Sequence, residues 1–379
     1  MSATGFGVYL HWPYCTRICP YCDFNVYRAR DRDPQPLVDA IVADIEGHHA
    51  RLGKRPADTL FFGGGTPSLL DAHHIERLIE TVDRTFGFTI APEISLESNP
   101  EDHANFAAQV AAGVNRISIG VQALDDAALK ALGRAHDAAS AIAATHAAAK
   151  TGARVSLDLI YAREGQTPDA WADELRAALA LPLEHVSLYQ LTIEDGTAFA
   201  RAVSRKTLSP PDAERAATLY ETTQSVCDAA GFPAYEISNH ARTRAARSRH
   251  NELYWTGGDW IGVGPGAHGR IQHAGARCAT KAHDRPDDYA AAVGAAGVGW
   301  VTSESLTPEI IADEAILMGL RLDDGLDRAA VEALRARPFD AAAIATFARE
   351  GLLRAESGRL RLTAAGRLLA DHIAATLAA

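Results

Sequence analysis

The chain has 379 residues, of which 47% are hydrophobic and 22% are charged, and this composition is typical of a globular protein with one large and one small domain. Its formal net charge of −11 argues against nucleic-acid binding, which relies on Lys and Arg to neutralise phosphate. No apolar run is long enough for stable membrane insertion, and the first residues lack the basic and apolar regions of a secretory signal, so we expect a cytoplasmic protein.

Apolar runs alternate with Ala-rich helical patterns in the first half of the chain. The predicted strands lie at 7–12, 58–62, 93–98, 115–122, 154–161 and 185–192, and the predicted helices between them at 35–52, 71–86, 124–132, 138–151 and 168–180. This alternation predicts a parallel sheet with helices outside it, and six such units predict an α/β fold, a partial (β/α)6 TIM-like barrel. In such folds the chemistry lies at the carboxyl ends of the strands.

The second half of the chain has a different pattern. A helix is predicted at 211–230, a strand-like run at 234–238, and a Gly-rich and aromatic stretch follows at 250–269. From about 308 onward, three helices, a hairpin and a last helix predict a small, mostly helical, winged-helix-like domain, for which we favour a packing role over DNA binding because its charges balance. We therefore predict a barrel core at 1–240, a connecting segment at 241–303 and a C-terminal domain at 304–379.

Three cysteines follow the first predicted strand within the stretch CTRICPYCDF at 15–24. Cys15, Cys19 and Cys22 have C-x3-C-x2-C spacing, and the other two cysteines lie far along the chain. Thiolates are soft ligands that suit zinc or iron–sulfur clusters. Because a structural zinc site takes four ligands, three thiolates favour a [4Fe–4S] cluster whose open iron binds a small chelating ligand. A zinc site completed by a distant histidine is the alternative.

Glycines and polar residues end the next predicted strands. The turn GGGTPS at 63–68 allows close approach of the backbone to a ligand and offers N–H donors to its carboxylate. Glu97 and Gln122 end the third and fourth strands, Arg134 follows, and Asp158 lies in the fifth. Packing alone does not explain four polar side chains at one end of a barrel, so we expect a ligand site there.

Taken in order, these motifs resemble the radical S-adenosylmethionine superfamily and, within it, the oxygen-independent coproporphyrinogen III oxidase-like family. The matching stretches include YLHWPYCTRICPYCDF, GGGTPS, ESNPE, NRISIGVQ, LGRAH, HNELYW and GVGPGAHG. The resemblance implies that Cys15, Cys19 and Cys22 hold a [4Fe–4S] cluster, which cleaves S-adenosylmethionine to a radical in that superfamily. It further implies S-adenosylmethionine contacts from Tyr9, Tyr21, Gly64, Gly65, Thr66, Glu97, Gln122, Arg134 and Asp158.

Two departures favour the heme-chaperone branch of that family over the oxidases. The oxidases carry a fourth cysteine where this chain has Phe24, and they have a long extension ahead of the cysteine strand. The motif HNELYW at 250–255 matches one that is linked to heme in the chaperone branch, which gives His250 as a heme ligand. The alternative is that His250 caps a turn and that the aromatic residues belong to the core. One loop departs from the family pattern, because Ala162-Arg163-Glu164 stands where the family usually has Gly-Leu-Pro, and the sequence does not determine the shape of this loop.

The resemblance thus implies a heme-binding protein that passes heme to an acceptor protein and takes electrons from a donor. Radical decarboxylation of coproporphyrinogen III is the alternative, so enzymatic activity stays an open question. A structural zinc protein is a third and less favoured hypothesis.

Overall fold

The computed structural model describes residues 5–30 and 32–379, and their strands form one large and two small sheets. In chain order the strands are β1 (Phe6–Trp12), β2 (Tyr14–Cys15), β3 (Tyr27–Arg28), β4 (Ala57–Gly64), β5 (Phe88–Ser98), β6 (Arg116–Gln122), β7 (Arg154–Tyr161), β8 (His185–Gln190), β9 (Asn239–Ala241), β10 (Asp259–Val263), β11 (His268–His273), β12 (Ala276–Ala282), β13 (Trp300–Ser305), β14 (Leu326–Asp327), β15 (Leu353–Glu356) and β16 (Arg359–Leu362).

The helices follow the strands in alternation through the first half of the chain. They are α1 (Gln35–Leu52), α2 (Ala72–Thr85), α3 (Phe106–Ala111), α4 (Asp126–Ala131), α5 (Ala138–Lys150), α6 (Pro168–Leu179), α7 (Ala198–Ser204), α8 (Ala213–Ala229), α9 (Arg249–Trp255), α10 (Pro286–Ala296), α11 (Pro308–Gly319), α12 (Arg328–Arg335), α13 (Ala341–Arg349), α14 (Ala364–Arg367) and α15 (Ala370–Ala378). Several begin at a side-chain cap: Asp125, Asp137, Thr167 and Asp212 each accept a hydrogen bond from the backbone N–H three residues on.

The large sheet has the strand order β13-β12-β11-β10-β1-β4-β5-β6-β7-β8-β9. Its central strands β10, β1 and β4 to β8 run parallel, and the strands at both ends are antiparallel to their neighbours. Within the described residues β13 and β9 do not pair with each other, so the sheet stays open. The predicted six-unit partial barrel is confirmed, and β10 adds a parallel strand that the sequence did not predict.

The strand expected at 234–238 does not form. Glu236 in this segment is fully buried, and its carboxylate accepts hydrogen bonds from the Asn239 amide at 2.7 Å and the Arg321 guanidinium at 2.9 Å. Because a buried carboxylate needs such donors, the chain bends around Glu236 and becomes extended only in β9, which pairs with β8. The predicted last helix is likewise divided, into α14 and α15.

Of the four apolar clusters in the described residues, the two largest form the cores of the molecule. The larger fills the space between the sheet and its helices, and the smaller lies among α11 to α15 and β14 to β16 around Ile316, Leu360 and Ile373. Although β10 to β13 extend the large sheet, the domain limits at 240 and 303 stay a prediction. Among the helices of the described chain, none combines the length and apolarity needed to cross a membrane.

Candidate functional site

The three clustered cysteines lie on one loop at the carboxyl end of β1. The base of this loop is closed by the pairing of β2 with β3, in which the N–H of Ala29 donates to the carbonyl of Cys15 at 2.8 Å. All three thiols are free and line one cavity. Burial raises the pKa of Cys15, and it raises the pKa of Cys22 to about 11. Ionisation of these two thiols would therefore need a positive partner, such as a bound metal.

The glycine turn lies directly beside this loop. Gly64 has φ +105°, and a Cβ there would lie 2.5 Å from the His11 ring, while a Cβ on Gly65 would lie 2.8 Å from the carbonyl oxygen of Trp12. The N–H of Gly64 donates to Glu97 Oε2 at 3.0 Å and that of Gly65 to Trp12 O at 2.7 Å. The glycines are thus needed for close packing, and the N–H groups expected to serve a ligand are used within the protein.

Glu97 and Asp158 form a pair of buried carboxyl groups at the strand ends. Burial, followed by the charge of Asp158, raises the pKa of Glu97 to about 8, and burial raises the pKa of Asp158 to about 6. Ser118 donates to Asp158 Oδ1 at 3.1 Å, but in the described part of the chain no Lys or Arg forms a salt bridge with either carboxyl group. A cationic ligand would therefore gain electrostatic stabilisation here.

Arg134 links the cysteine loop to the ends of β5 and β6. Its Nη1 lies 3.5 Å from Cys19 Sγ, and its Nη2 donates to Asn99 Oδ1 at 2.5 Å and to Gly120 O at 2.9 Å. Gln122, the last residue of β6, has φ +67° after a register shift against β7. Such left-handed geometry is unfavourable for a residue other than glycine, and it directs the chain around the cavity.

A cavity of about 460 Å³ brings most of the predicted site residues together. Its size is in the range of ligand pockets, and its wall combines three cysteine thiols, two carboxyl groups that form no salt bridge within the described residues, and tightly packed glycines. These residues fit a cluster with a small cationic chelator. The predicted residues in this wall are Cys15, Cys19, Tyr21, Cys22, Gly64, Gly65, Thr66, Glu97, Gln122, Arg134 and Asp158.

A second cavity, of about 610 Å³, adjoins the first. The two share a wall that includes Phe24, Gly64, Glu97, Asp158 and Tyr189. The second cavity extends into the interior of the barrel and opens toward β10 to β12. A ligand in it would lie next to the carboxyl pair of the first cavity.

Two predicted residues, Tyr9 and His250, line only this second cavity. His250 lies in α9, which enters the barrel near the amino ends of the strands. Its ring is hydrogen-bonded to Thr59 Oγ1 at 2.7 Å and to the Tyr254 hydroxyl at 2.7 Å, and burial lowers its pKa to about 3. With both ring nitrogens engaged, the placement of His250 favours the alternative of a core histidine over that of a heme ligand.

His250 also lies on a different level from the cysteine loop. Its backbone N–H donates to Glu93 Oε1 at 3.1 Å, and Glu93 precedes Glu97 by four residues on β5. At about 3.3 Å per residue, this separation is about 13 Å along the strand. The expectation that His250 acts near the carboxyl ends therefore lacks support from the geometry.

The loop that departs from the family pattern has a defined shape. Ala162 has φ +60°, a conformation that glycine adopts without strain. Arg163 forms a salt bridge with Glu174, and Glu164 accepts a hydrogen bond from the N–H of Ser209 at 2.7 Å. The loop thus keeps the left-handed turn that a glycine would provide, and two charged residues fix it from outside the site.

Several residues of the site had no signal in the sequence. Asn99 donates to Thr66 Oγ1 at 3.2 Å and accepts from Arg134, and Ser118 binds Asp158. Asn99 lies in the ESNPE stretch, two residues after Glu97. Its position directly after the end of β5 was the one sequence feature that could have indicated its place in the site.

Comparison with known proteins agrees with this geometry. The radical SAM superfamily profile matches residues 9–178, and the HemN C-terminal domain profile matches residues 306–369. Heme chaperone HemW of Mycobacterium tuberculosis is 38% identical over 100% of this chain and 96% of its own length, and that of Bacillus subtilis is 30% identical over 97% of both. The chain belongs to the HemW family.

The HemW family assignment confirms the resemblance found in the motifs. A mitochondrial radical S-adenosyl methionine domain-containing protein 1 of Bos taurus is 39% identical over 84% of this chain and 74% of its own length. Among solved structures, coproporphyrinogen III oxidase of Escherichia coli has a TM-score of 0.82 at 22% identity, covering 99% of this chain and 90% of that chain. At this identity the oxidase shows the fold alone. Membership of the HemW family and the radical SAM match imply a [4Fe–4S] cluster and S-adenosylmethionine.

Proposed function

We propose that this protein is a heme chaperone that binds heme beside a [4Fe–4S] cluster and S-adenosylmethionine and transfers the heme to an acceptor protein. The observation that carries the proposal is the second cavity, which adjoins the predicted cofactor cavity through Glu97 and Asp158. Its volume of about 610 Å³ is within the range of ligand pockets, and heme is the ligand that we propose for it. Relatives aligned over the full length of the chain are named heme chaperones, which supports the same function.

The residues of the first cavity have distinct roles in this proposal. Cys15, Cys19 and Cys22 hold the cluster, and Glu97 with Asp158 binds the cationic end or the ribose of S-adenosylmethionine. When bound, the cluster supplies an electron for cleavage of the sulfonium C–S bond. Arg134 lies against Cys19 at 3.5 Å and stabilises the added negative charge.

The cytoplasm is the compartment we propose, because all five cysteines are free and the cluster needs reduced thiols. An electron donor for the cluster and a protein acceptor for heme are the partners that the function requires.

Phe24 distinguishes the proposal from the oxidase alternative. Its side chain is 61% exposed and lies in the wall shared by both cavities, at the position where the oxidases carry a cysteine. An exposed aromatic ring is suited to stack on a porphyrin.

The experiment that tests the proposal combines three measurements on the anaerobically reconstituted chain. We expect about four irons and four sulfides per chain, a Soret band on titration with ferric heme, and no conversion of coproporphyrinogen III in the presence of S-adenosylmethionine and a strong reductant. Conversion of coproporphyrinogen III without stable heme binding would instead establish the oxidase. Zinc without sulfide would establish the structural zinc protein.

A further inference from the structure

Four histidines line the cavity of about 610 Å³, and they differ in their hydrogen bonds. Three of them have both ring nitrogens engaged: His11 by the Tyr9 hydroxyl and the Asn25 carbonyl, His185 by the Ser156 and Tyr235 hydroxyls, and His250 by the Thr59 and Tyr254 hydroxyls. An imidazole ligates iron through a ring nitrogen with a free lone pair. These three rings would have to lose a buried hydrogen bond before they could bind a metal.

His268 is the exception. It is exposed, begins β11, and lines the cavity beside Gly266, and among residues 5–30 and 32–379 no hydrogen bond reaches its ring. Its backbone is nevertheless fixed, because its carbonyl accepts a hydrogen bond from Trp260 Nε1 at 3.0 Å. A free imidazole on an immobile strand is the arrangement that a metal ligand requires.

We infer that His268 is the protein ligand of heme iron, with the porphyrin in the mouth of this cavity between β11 and the cysteine loop. The inference rests on the proposed heme-binding function and assigns its iron ligand to β11 in place of the HNELYW helix.

The surroundings of His268 match the amphipathic chemistry of heme. Lys281 is its cross-strand partner in β12 and supplies a cation for a propionate, currently paired with Asp284 at 3.2 Å. Phe24 and Trp260 line the same cavity and present aromatic surface to the ring. One ligand nitrogen, one cation and two aromatic side chains are groups that bind heme, although the cavity wall also contains acidic residues such as Asp23 and Asp284.

The position of His268 also places heme close to the cysteine loop. Asn25, three residues after Cys22, donates to the carbonyls of Pro265 at 3.0 Å and Asp284 at 2.7 Å, on either side of the His268 strand. His11 is hydrogen-bonded to the carbonyl of Asn25 at 2.9 Å. Binding at His268 would therefore act on the same segment that carries the third cluster cysteine.

The test is a comparison of ferric heme with iron-free protoporphyrin IX on the reconstituted full chain. We expect His268→Ala to shift the Soret band and to weaken heme binding about tenfold or more, equivalent to about 1.4 kcal/mol. Binding of protoporphyrin IX should be unchanged, because only the iron–nitrogen bond is lost. Added imidazole should restore the wild-type Soret band in His268→Gly.

Two further variants serve as controls. His273→Ala removes a histidine at the other end of β11 that lies outside the cavity, and it should bind heme as the wild type does. His250→Ala should lower stability but keep the Soret position. A His268→Ala protein with the wild-type Soret band and heme affinity would overturn the inference alone. Absence of heme binding by the wild type would overturn the proposed function and, with it, the inference.

Discussion

Two buried glutamates on the same strand have pKa values that are shifted in opposite directions. Glu93, in the middle of β5, lies 2.9 Å from Arg154 Nη2 and 3.9 Å from Arg116 Nη1. Although burial opposes its ionisation, these guanidinium groups hold its pKa below the usual value. Glu97, four residues later, accepts a hydrogen bond only from the N–H of Gly64 among the described residues, and burial, followed by the charge of Asp158, raises its pKa to about 8.

The two glutamates mark two layers of one barrel. We call the layer around Glu93 the lower or supporting layer, and the layer around Glu97 and Asp158 the upper or binding layer. In the lower layer the protein itself compensates the buried charge of Glu93, through Arg154 and Arg116. In the upper layer no Lys or Arg of the described residues forms a salt bridge with Glu97 or Asp158, and burial raises the pKa of both, so a cationic ligand would favour their ionised forms. Stability should therefore depend on the lower layer and cofactor binding on the upper layer, and the following changes test that division.

The largest effect concerns the cysteine loop. Cys15→Ser, Cys19→Ser or Cys22→Ser should abolish the brown chromophore of the reconstituted protein, because a hydroxyl is a poor substitute for a thiolate ligand. The unfolding free energy of the cluster-free chain should change little, since these thiols belong to the binding layer. Iron analysis checks the first point, with Cys278→Ser as the control that keeps its iron. Full iron content in all three variants would refute the cluster assignment.

The next effect is on stability. Glu93→Gln removes the charge that compensates Arg116 and Arg154, and breaking such a buried pair costs about 3–5 kcal/mol. Denaturant unfolding of the cluster-free chain measures this loss. Glu46→Gln, which breaks the exposed pair with Arg84, is the matched control and should cost less than about 1 kcal/mol. Equal effects in the two variants would contradict a supporting role for Glu93.

A smaller effect is expected on ligand affinity. Glu97→Gln removes a carboxyl group that can ionise beside a cationic ligand in the cofactor cavity, and it should weaken S-adenosylmethionine binding by about 1.5–3 kcal/mol. Calorimetry on the reconstituted protein gives the affinity. Glu101→Gln, whose side chain contacts His136 outside the cavity wall, should bind normally. Unchanged affinity in Glu97→Gln would remove Glu97 from the binding layer.

Per pH unit, the smallest effect is a pH dependence of the cluster-free chain. Because the folded-state pKa of Glu97 is about 8 and its ordinary value is 4.5, the folded state holds a proton that the unfolded state has lost. Stability from this group is therefore present below pH 4.5 and is lost as the pH rises to about 8, by at most about 1.4 kcal/mol per pH unit. Urea unfolding at several pH values should show this slope in the wild type and a shallower one in Glu97→Gln. Parallel slopes would mean that Glu97 ionises normally.

Much of the upper layer could be predicted from the sequence, because its residues follow directly after predicted strands. Each parallel strand is a continuous apolar run, and the polar residue that ends it must lie at the common carboxyl edge of the sheet. This reasoning brought Glu97, Gln122 and Arg134 to the cysteine loop without knowledge of their contacts. Tyr21 and Thr66 came from the family resemblance, and they also line the cavity.

The lower layer was not predictable in the same way, because its contacts are distant in sequence. His250 bonds to Thr59 across 191 residues and to Glu93 across 157 residues. The motif HNELYW does not indicate whether a ring nitrogen of His250 is free of hydrogen bonds. A buried, hydrogen-bonded histidine and a histidine that ligates heme iron therefore cannot be distinguished from the sequence. The free ring of His268 likewise became apparent only when the partners of its neighbours were known.

The ties of Asn25 to Pro265 and Asp284 have a consequence for the order in which the protein is made. The first strand also pairs with β10, which begins only at Asp259. A growing chain therefore cannot fix the cysteine loop over the strand ends until residue 284 has left the ribosome, although the three cysteines emerge among the first residues. Before then the loop can already contact Arg134 and the glycine turn, so we expect the loading of iron and sulfur to be complete only after the hydrogen bonds of Asn25 have formed.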